Sequence, residues 1–437
     1  MHPGTRGTSH FLLNCRVMCC MPVTRKFKTS LFILILVFLG FVVLFLDTCR
    51  SSIQLAIARQ ALRERDADKA LNAVREAERL NPYSGEVHFT MARVFRRQGH
   101  LDKVHASLKK AVTLGVPRNR IRREEWLAMA QAGQMKEARP HLSELLINPG
   151  DDGPEICEAY VNGYFLTYQL ADAFQLLDAW EKDYPSDAQP HVFRGTFSSK
   201  LNSWGAAATQ FRKAFDLAPK RIDIQLSLAA VLLITREMDE AAKLLEQAQR
   251  NRPNNPEVLL GWAQILLERG EDEQARATLE RILLSEPNND VALRILGEIH
   301  SSAENYLEAL QVLEKAVAIR STDTKARYAL GAALQRVGRT NEAQQHFEFV
   351  TKSNETGQRL QKLLGKVRDD DKDVESRFEI AELMRDTGEP RERLLWLRSI
   401  VELEPKHKAA HAELAKCFSA LGKLEESEKH RQLAESE

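Results

Sequence analysis

Cysteine is scarce. Six in 437 residues cannot build a disulfide scaffold. Glycine (21) and proline (15) are too few for a collagen-like or linker-like chain. No sign of charge is in excess: 62 Lys and Arg face 61 Asp and Glu, so no sequence-wide attraction for nucleic acid or anionic lipid exists. Signatures of catalysis are also missing. There is no G-x-x-x-x-G-K-[ST] loop, and Gly365-Lys366 lacks its partners. No G-x-S-x-G elbow, no H-E-x-x-H pair and no C-x-x-C after residue 50 occurs. What remains is 43% hydrophobic and 28% charged, enough to bury a core. Ala, Leu, Glu, Arg, Lys and Gln dominate, which predicts helix.

One long apolar run is present. Residues 31–46 read LFILILVFLGFVVLFL, apolar throughout except for Gly40. On an insertion scale the run gains about −4.5 to −9 kcal/mol, which Asp47 at its rim cannot cancel. Extended to residues 29–48 it reaches roughly 30 Å as a helix, the thickness of a hydrocarbon core. Lys28 and Arg50 can snorkel at the rims. Arg6, Arg16, Arg25, Lys26 and Lys28 precede the run with no acidic residue among them. The expectation is a basic tail over 1–28 and a single-pass signal anchor over 29–48. The positive-inside rule then puts the rest of the chain on the extracytoplasmic, periplasmic side.

After the run a period of 34 residues governs the sequence. Pro219, Pro253 and Pro287 are 34 apart. Ala207, Ala241, Ala275, Ala309 and Ala343 form a second series, and Gly195, Ala229, Ala263, Gly297 and Gly331 lie twelve residues before each of them. Phe211, Leu245, Leu279, Leu313 and Phe347 follow at a fixed offset. Each unit therefore reads as two antiparallel helices whose seam is small on one side and bulky on the other. Proline closes the unit, because it cannot continue a helix. Gly99, Gly270, Gly338, Gly388 and Gly422 fall at the turn inside the unit.

The stretches ending at Pro219, Pro253 and Pro287, such as AAVLLITREMDEAAKLLEQAQRNRP, resemble the tetratricopeptide repeat family. The match weakens elsewhere. Residues 85–118 carry Val104, and 374–407 carry Arg393, where a small residue is expected. Residues 119–187 keep Ala138, Pro149, Ala173 and Pro185 but lose the spacing, and read as two degenerate units. The resemblance implies an all-α, right-handed α-solenoid of stacked helix-turn-helix units behind one N-terminal transmembrane helix. Its expected parts are a solenoid over 51–357, an inserted helix and acidic loop over 358–373, and further units over 374–437. The layout resembles that of bacterial-type membrane-anchored members, which serve in envelope assembly, cytochrome maturation, secretion or polysaccharide export.

In that family the first helix of each unit lines a concave groove, which implies protein or peptide partners. The groove positions here are Arg93, Arg97, Gln264, Glu268, Arg294, Glu298, Tyr328, Arg336, Glu382 and Arg385, with Arg96 beside them. Their mixed signs do not suit a groove dedicated to one kind of chain terminus. The Lys and Asn set of a carboxylate clamp is not found. Solvated helix faces explain the same residues without a partner.

Candidate chemistry is thin. Cys157 and Cys417 sit in helical patterns and read as buried small apolar residues. His407 and His411 have the i, i+4 spacing of a zinc pair, but His407 follows Pro405 in a turn. Asp369, Asp371 and Asp373 imitate a calcium loop, yet Val374 and Ile380 occupy its Gly and Glu places. Arg118, Arg120, Arg122 and Arg123 read as a solvated helix start, with contact to lipid headgroups as the alternative. The expectation is a non-enzymatic scaffold without metal, cofactor or nucleic acid. The alternatives are a self-associating homo-oligomer, and an enzyme whose site lies in 119–187 around Cys157 and His141.

Overall fold

The structure, a computed structural model, describes residues 25–147, 149, 152–385 and 390–435. The chain forms two compact units, Met1–Ile121 and Arg122–Glu437. Every regular element among the described residues is helical. The first unit holds α1 (Arg25–Arg63), α2 (Ala67–Leu80), α3 (Gly85–Arg97) and α4 (Leu101–Thr113). α5 (Arg118–Gln131) begins there and ends in the second unit. The second unit continues with α6 (Met135–Ala138) and α7 (Leu142–Ile147), joined by a single 3-10 turn, then α8 (Gly153–Leu166) and α9 (Leu170–Asp183). The regular pairs follow: α10 (Gln189–Lys200) with α11 (Trp204–Leu217), α12 (Ile222–Thr235) with α13 (Met238–Asn251), α14 (Pro256–Glu268) with α15 (Asp272–Ser285), and α16 (Asp290–Ser302) with α17 (Tyr306–Ile319). Last come α18 (Thr324–Arg336) with α19 (Thr340–Asp369), α20 (Val374–Leu383) with α21 (Pro390–Leu403), and α22 (Lys408–Ala420) with α23 (Leu424–Glu435).

The basic tail of 1–24 lies outside the described residues. α1 is helical from Arg25 to Arg63, but most side chains of the 31–46 run also lie outside them. Among the described residues no helix is long and apolar enough to cross a membrane.

Local chemistry sets the helix starts. Asp66, Asn255, Asn289, Asp323 and Asp373 each cap a helix by accepting a backbone N–H with a side-chain oxygen. The turns inside the pairs share a left-handed residue. Gly99, Gly133, Gly270, Gly338 and Gly422 fill it at no steric cost. In the other described turns Arg65, Tyr168, Asn202, Arg236 and Glu304 adopt it. Gly388 lies outside the described residues. This φ > 0 residue recurs even where the sequence repeat is lost: Gly133 and Tyr168 mark the turns of the two degenerate pairs in 119–187.

The expected seam is present. A Cβ placed on Gly195 would lie 2.9 Å from the Phe211 ring, on Gly297 2.4 Å from Leu313, and on Gly331 2.8 Å from Phe347. Ala229 and Leu245 share one buried cluster, and Ala263 and Leu279 another. Each buried Leu or Phe contributes about 1.5–3 kcal/mol, so the seam holds each pair together. Val104 fills its place as a buried side chain. Arg393 fills its place differently. It donates to Ala381 O at 3.0 Å and pairs with the buried Glu413 carboxylate.

The 358–373 segment departs from expectation. It is no separate helix: α19 runs unbroken for 30 residues to Asp369, because Leu360, Leu363, Leu364 and Val367 continue its apolar stripe. Only 370–373 turns, and Asp373 caps α20 there. This extension carries the last pairs back onto α5–α9 within the second unit. Arg377, 1% exposed, donates to Thr167 O at 2.9 Å, Tyr168 O at 3.1 Å, Asp371 O at 2.6 Å and Ser399 Oγ at 3.0 Å. Tyr168 stacks on Trp396 with ring centroids 3.8 Å apart.

Candidate functional site

The helix pairs bring some expected groove residues together and separate others. Glu298 (α16) and Tyr328 (α18) converge on one open cleft with Ser301, Ser302, Thr324 and Lys325. Val350 and Asn354 of α19 form its far wall. Tyr328 is 60% exposed, a large apolar surface to leave in water. Ser301 Oγ is buried there without a hydrogen-bond partner. Arg294 is drawn inward instead: its side chain is 13% exposed, 2.7 Å from Glu298 and 3.7 Å from Asp323, the cap of α18. It is a strut under the cleft.

Gln264 and Glu268 are exposed on α14 and line a second, smaller cleft with Leu233, Met238 and Leu267. Arg336 is exposed on the last turn of α18 and lines neither cleft. Arg93 and Arg97 are partly buried on α3; Arg120 holds the Glu86 carboxyl below its ordinary range against the opposing effect of burial, and Arg59 and Arg93 add to the lowering. Arg96 is buried outright, so it presents nothing to a groove. Glu382 and Arg385 pair with each other beside the Arg393–Glu413 pair.

A further site was not read from the sequence. Between α8, α10 and the end of α19 lies a cavity of about 160 Å³. Phe165, Phe193, Phe197 and Tyr168 wall it, Leu364 closes one side, and Asn162, Thr196, Lys200 and Arg368 supply its polar groups. Phe165 stacks against Phe197 at 5.3 Å and Phe193 at 6.0 Å. The available signal was the density of Phe and Tyr between 160 and 197.

The candidate catalytic groups are packing groups. Burial pushes the Cys157 thiol up to about 12, which keeps it protonated. Tyr160 donates its buried hydroxyl to Ala138 O at 2.7 Å, and His141 stacks on Trp126 at 3.8 Å. Burial likewise raises the Cys417 thiol. His407 and His411 do not converge on a metal. His407 Nδ1 accepts from Ala410 N–H at 3.1 Å, while His411 donates from Nε2 to Pro405 O at 3.0 Å and accepts at Nδ1 from His430 at 2.8 Å.

That His411 contact is one of a series. A side chain on the first helix donates to the carbonyl six residues earlier at His88 (Pro82 O), Gln225 (Pro219 O), Arg327 (Ser321 O), Arg377 (Asp371 O) and His411 (Pro405 O). Each ties a helix pair to the linker that precedes it.

Two tetratricopeptide repeat models match the chain, one over 199–256 and the other over 232–299 and 301–367. Together they span less than half of it. Tetratricopeptide repeats are therefore present in the central region. Among solved structures, a crystal structure of MamA protein is 17% identical, with a TM-score of 0.30, over 38% of this chain and 92% of that one. A human IFIT1 dimer with PPP-AAAA is 16% identical, with a TM-score of 0.41, over 80% of this chain and 90% of that one. Likenesses at this level assign no function. No curated protein matches the chain.

Proposed function

We propose that this chain is a membrane-tethered, non-enzymatic scaffold that holds a protein or peptide partner on the first-helix face of its repeats. The observation that carries it is the cleft of Glu298, Ser301, Lys325 and Tyr328. An exposed aromatic ring, an unpaired buried hydroxyl and charges of both signs face one opening. The tetratricopeptide repeats at 199–367 support a role in protein interaction. The scaffold so read is the right-handed solenoid of that repeat family. The anchor rests on the 31–46 run and its basic flank, and its orientation on the positive-inside rule. Assembly or maturation of envelope complexes is the role that fits this reading.

A photo-crosslinking phenylalanine analogue at position 328, in cells, tests the cleft, with the exposed position 280 of α15 as control. A discrete adduct from 328 alone supports the proposal. Adducts from both positions alike, or from neither, overturn it. Protease digestion of the C-terminal end in sealed membranes tests the orientation: cleavage from the outer face supports it, and protection until lysis reverses it.

A further inference from the structure

The cavity between α8, α10 and α19 is distinct from the Tyr328 cleft and stands without it. Its volume, about 160 Å³, is close to that of an engineered protein cavity of about 150 Å³ that binds benzene. It therefore has room for one aromatic ring or one branched apolar side chain. Its walls suit such a group. Phe165, Phe193 and Phe197 present ring faces and edges, the geometry that aromatic pairs prefer.

The polar lining is one-sided. Lys200 and Arg368 border the cavity, and among the described residues no acidic side chain lines it. Arg368 shares its charge with Asp369 at 3.0 Å. Lys200 is exposed at the end of α10, and among the described residues no carboxylate pairs with it. Asn162 and Thr196 add donors beside it. An occupant thus needs an apolar tip and negative charge a few ångströms behind it.

One further feature sets this place apart. Tyr168 holds φ +53° at a turn position that Gly occupies in half of the described pairs. A bulky residue in that region costs about 1–2 kcal/mol. Its ring stacks on Trp396 and lines the cavity, so the strained conformation maintains a wall.

We propose that this cavity is a docking site for an acidic peptide segment of a partner protein, which inserts one aromatic side chain between Phe165, Phe197 and Leu364 and sets its carboxylates against Lys200 and Arg368.

The test uses the full chain in lipid nanodiscs and fluorescein-labelled peptides read by fluorescence anisotropy. The probe is Gly-Glu-Glu-Phe-Glu-Glu-Gly, compared with versions carrying Ala for Phe or Lys for Glu. The Phe–Glu peptide is expected to bind at least tenfold more tightly than either. Lys200→Glu should weaken it at least fivefold. Leu364→Trp, which fills the cavity, should reduce it to the level of the Ala peptide. If circular dichroism shows that Leu364→Trp fails to fold, Thr196→Trp blocks the cavity from an exposed position. Equal binding of the Phe and Ala peptides, or wild-type affinity in the folded variants, overturns the proposal. Displacement of the peptide by micromolar 3-phenylpropionate also overturns it, and assigns the cavity to a free aromatic carboxylate. The peptide is read at the cavity and the crosslink at position 328, so the two readings are tested by separate measurements and can fail separately.

Discussion

Replacing Glu402 with Gln should abolish most of the pH dependence of the contact between α20–α21 and α6–α9. Glu402 lies in that contact, 3.3 Å from the Gln169 amide. Burial pushes its carboxyl from 4.5 up to about 7, and the charge of Glu137 pushes the same way. The Lys136 backbone, Arg398 and Arg377 oppose the rise. The folded state therefore holds a proton that the unfolded state releases. Stability is greatest below pH 4.5, falls as pH rises, and has lost this contribution once pH passes about 7. The full rise corresponds to roughly 3.4 kcal/mol. Glu402 keeps partial contact with water, so we expect about 2 kcal/mol. Urea unfolding between pH 4.5 and pH 8 measures it. Relative to Glu402→Gln, the wild-type chain should lose that amount across the range and be the less stable at pH 8; the His430 imidazole, which burial pushes down to about 4, adds stability with rising pH in both chains and cancels in the comparison. Glu137→Gln should move the wild-type fall to lower pH. Parallel curves for wild type and Glu402→Gln would refute the reasoning.

Other outcomes follow from the packing. Gly297→Ala drives a Cβ to 2.4 Å from Leu313, and overpacking of about 1–3 kcal/mol should exceed the helix-propensity gain of about 1 kcal/mol. Gly365→Ala, with nothing within 4 Å, should keep that gain, so the two variants should shift thermal unfolding in opposite directions. Arg236→Gly and Glu304→Gly should each stabilise by about 0.5–1 kcal/mol by relieving a left-handed residue, whereas Tyr168→Gly should destabilise because it removes the stack on Trp396. Calorimetry of the three separates strain from packing. Arg393→Ala leaves the buried Glu413 carboxylate to Lys416 and Arg385 and should cost about 1–3 kcal/mol by denaturant unfolding, whereas Arg393→Met with Glu413→Leu should recover most of it.

The regular pairs were legible because their chemistry is local. Gly297 and Leu313 meet across one turn, so a fixed offset in the sequence becomes a contact in space. The same logic located Gly99, Gly270, Gly338 and Gly422. It missed Tyr168 and Arg236, because a left-handed residue other than Gly carries no compositional mark. It also missed the join from α19 onward. Arg377 reads as an ordinary helical arginine, and only the return of the chain gives it the carbonyls of Thr167 and Tyr168 some 210 residues away. The groove residues were placed by helix face alone. That criterion put Glu298 and Tyr328 on one cleft but could not distinguish them from Arg294, which the cap at Asp323 turns inward, or from Arg96, which is buried. The aromatic cavity needed both failures repaired, since its walls come from α8, α10 and a helix end more than 160 residues later.

The unbroken α19 borders two openings at once. Val350 and Asn354 flank the Tyr328 cleft, and Leu364 and Arg368 flank the cavity. At about 1.5 Å per residue these stations are some 15–27 Å apart on one rod. If a guest tilts this helix at one station, the wall of the other moves with it. Whatever factor the first guest imposes on the affinity of the second, the second must return in full. Under that condition the two openings would be the ends of one lever, and a partner presenting both an aromatic-acidic segment and a surface for Tyr328 would be registered as one object.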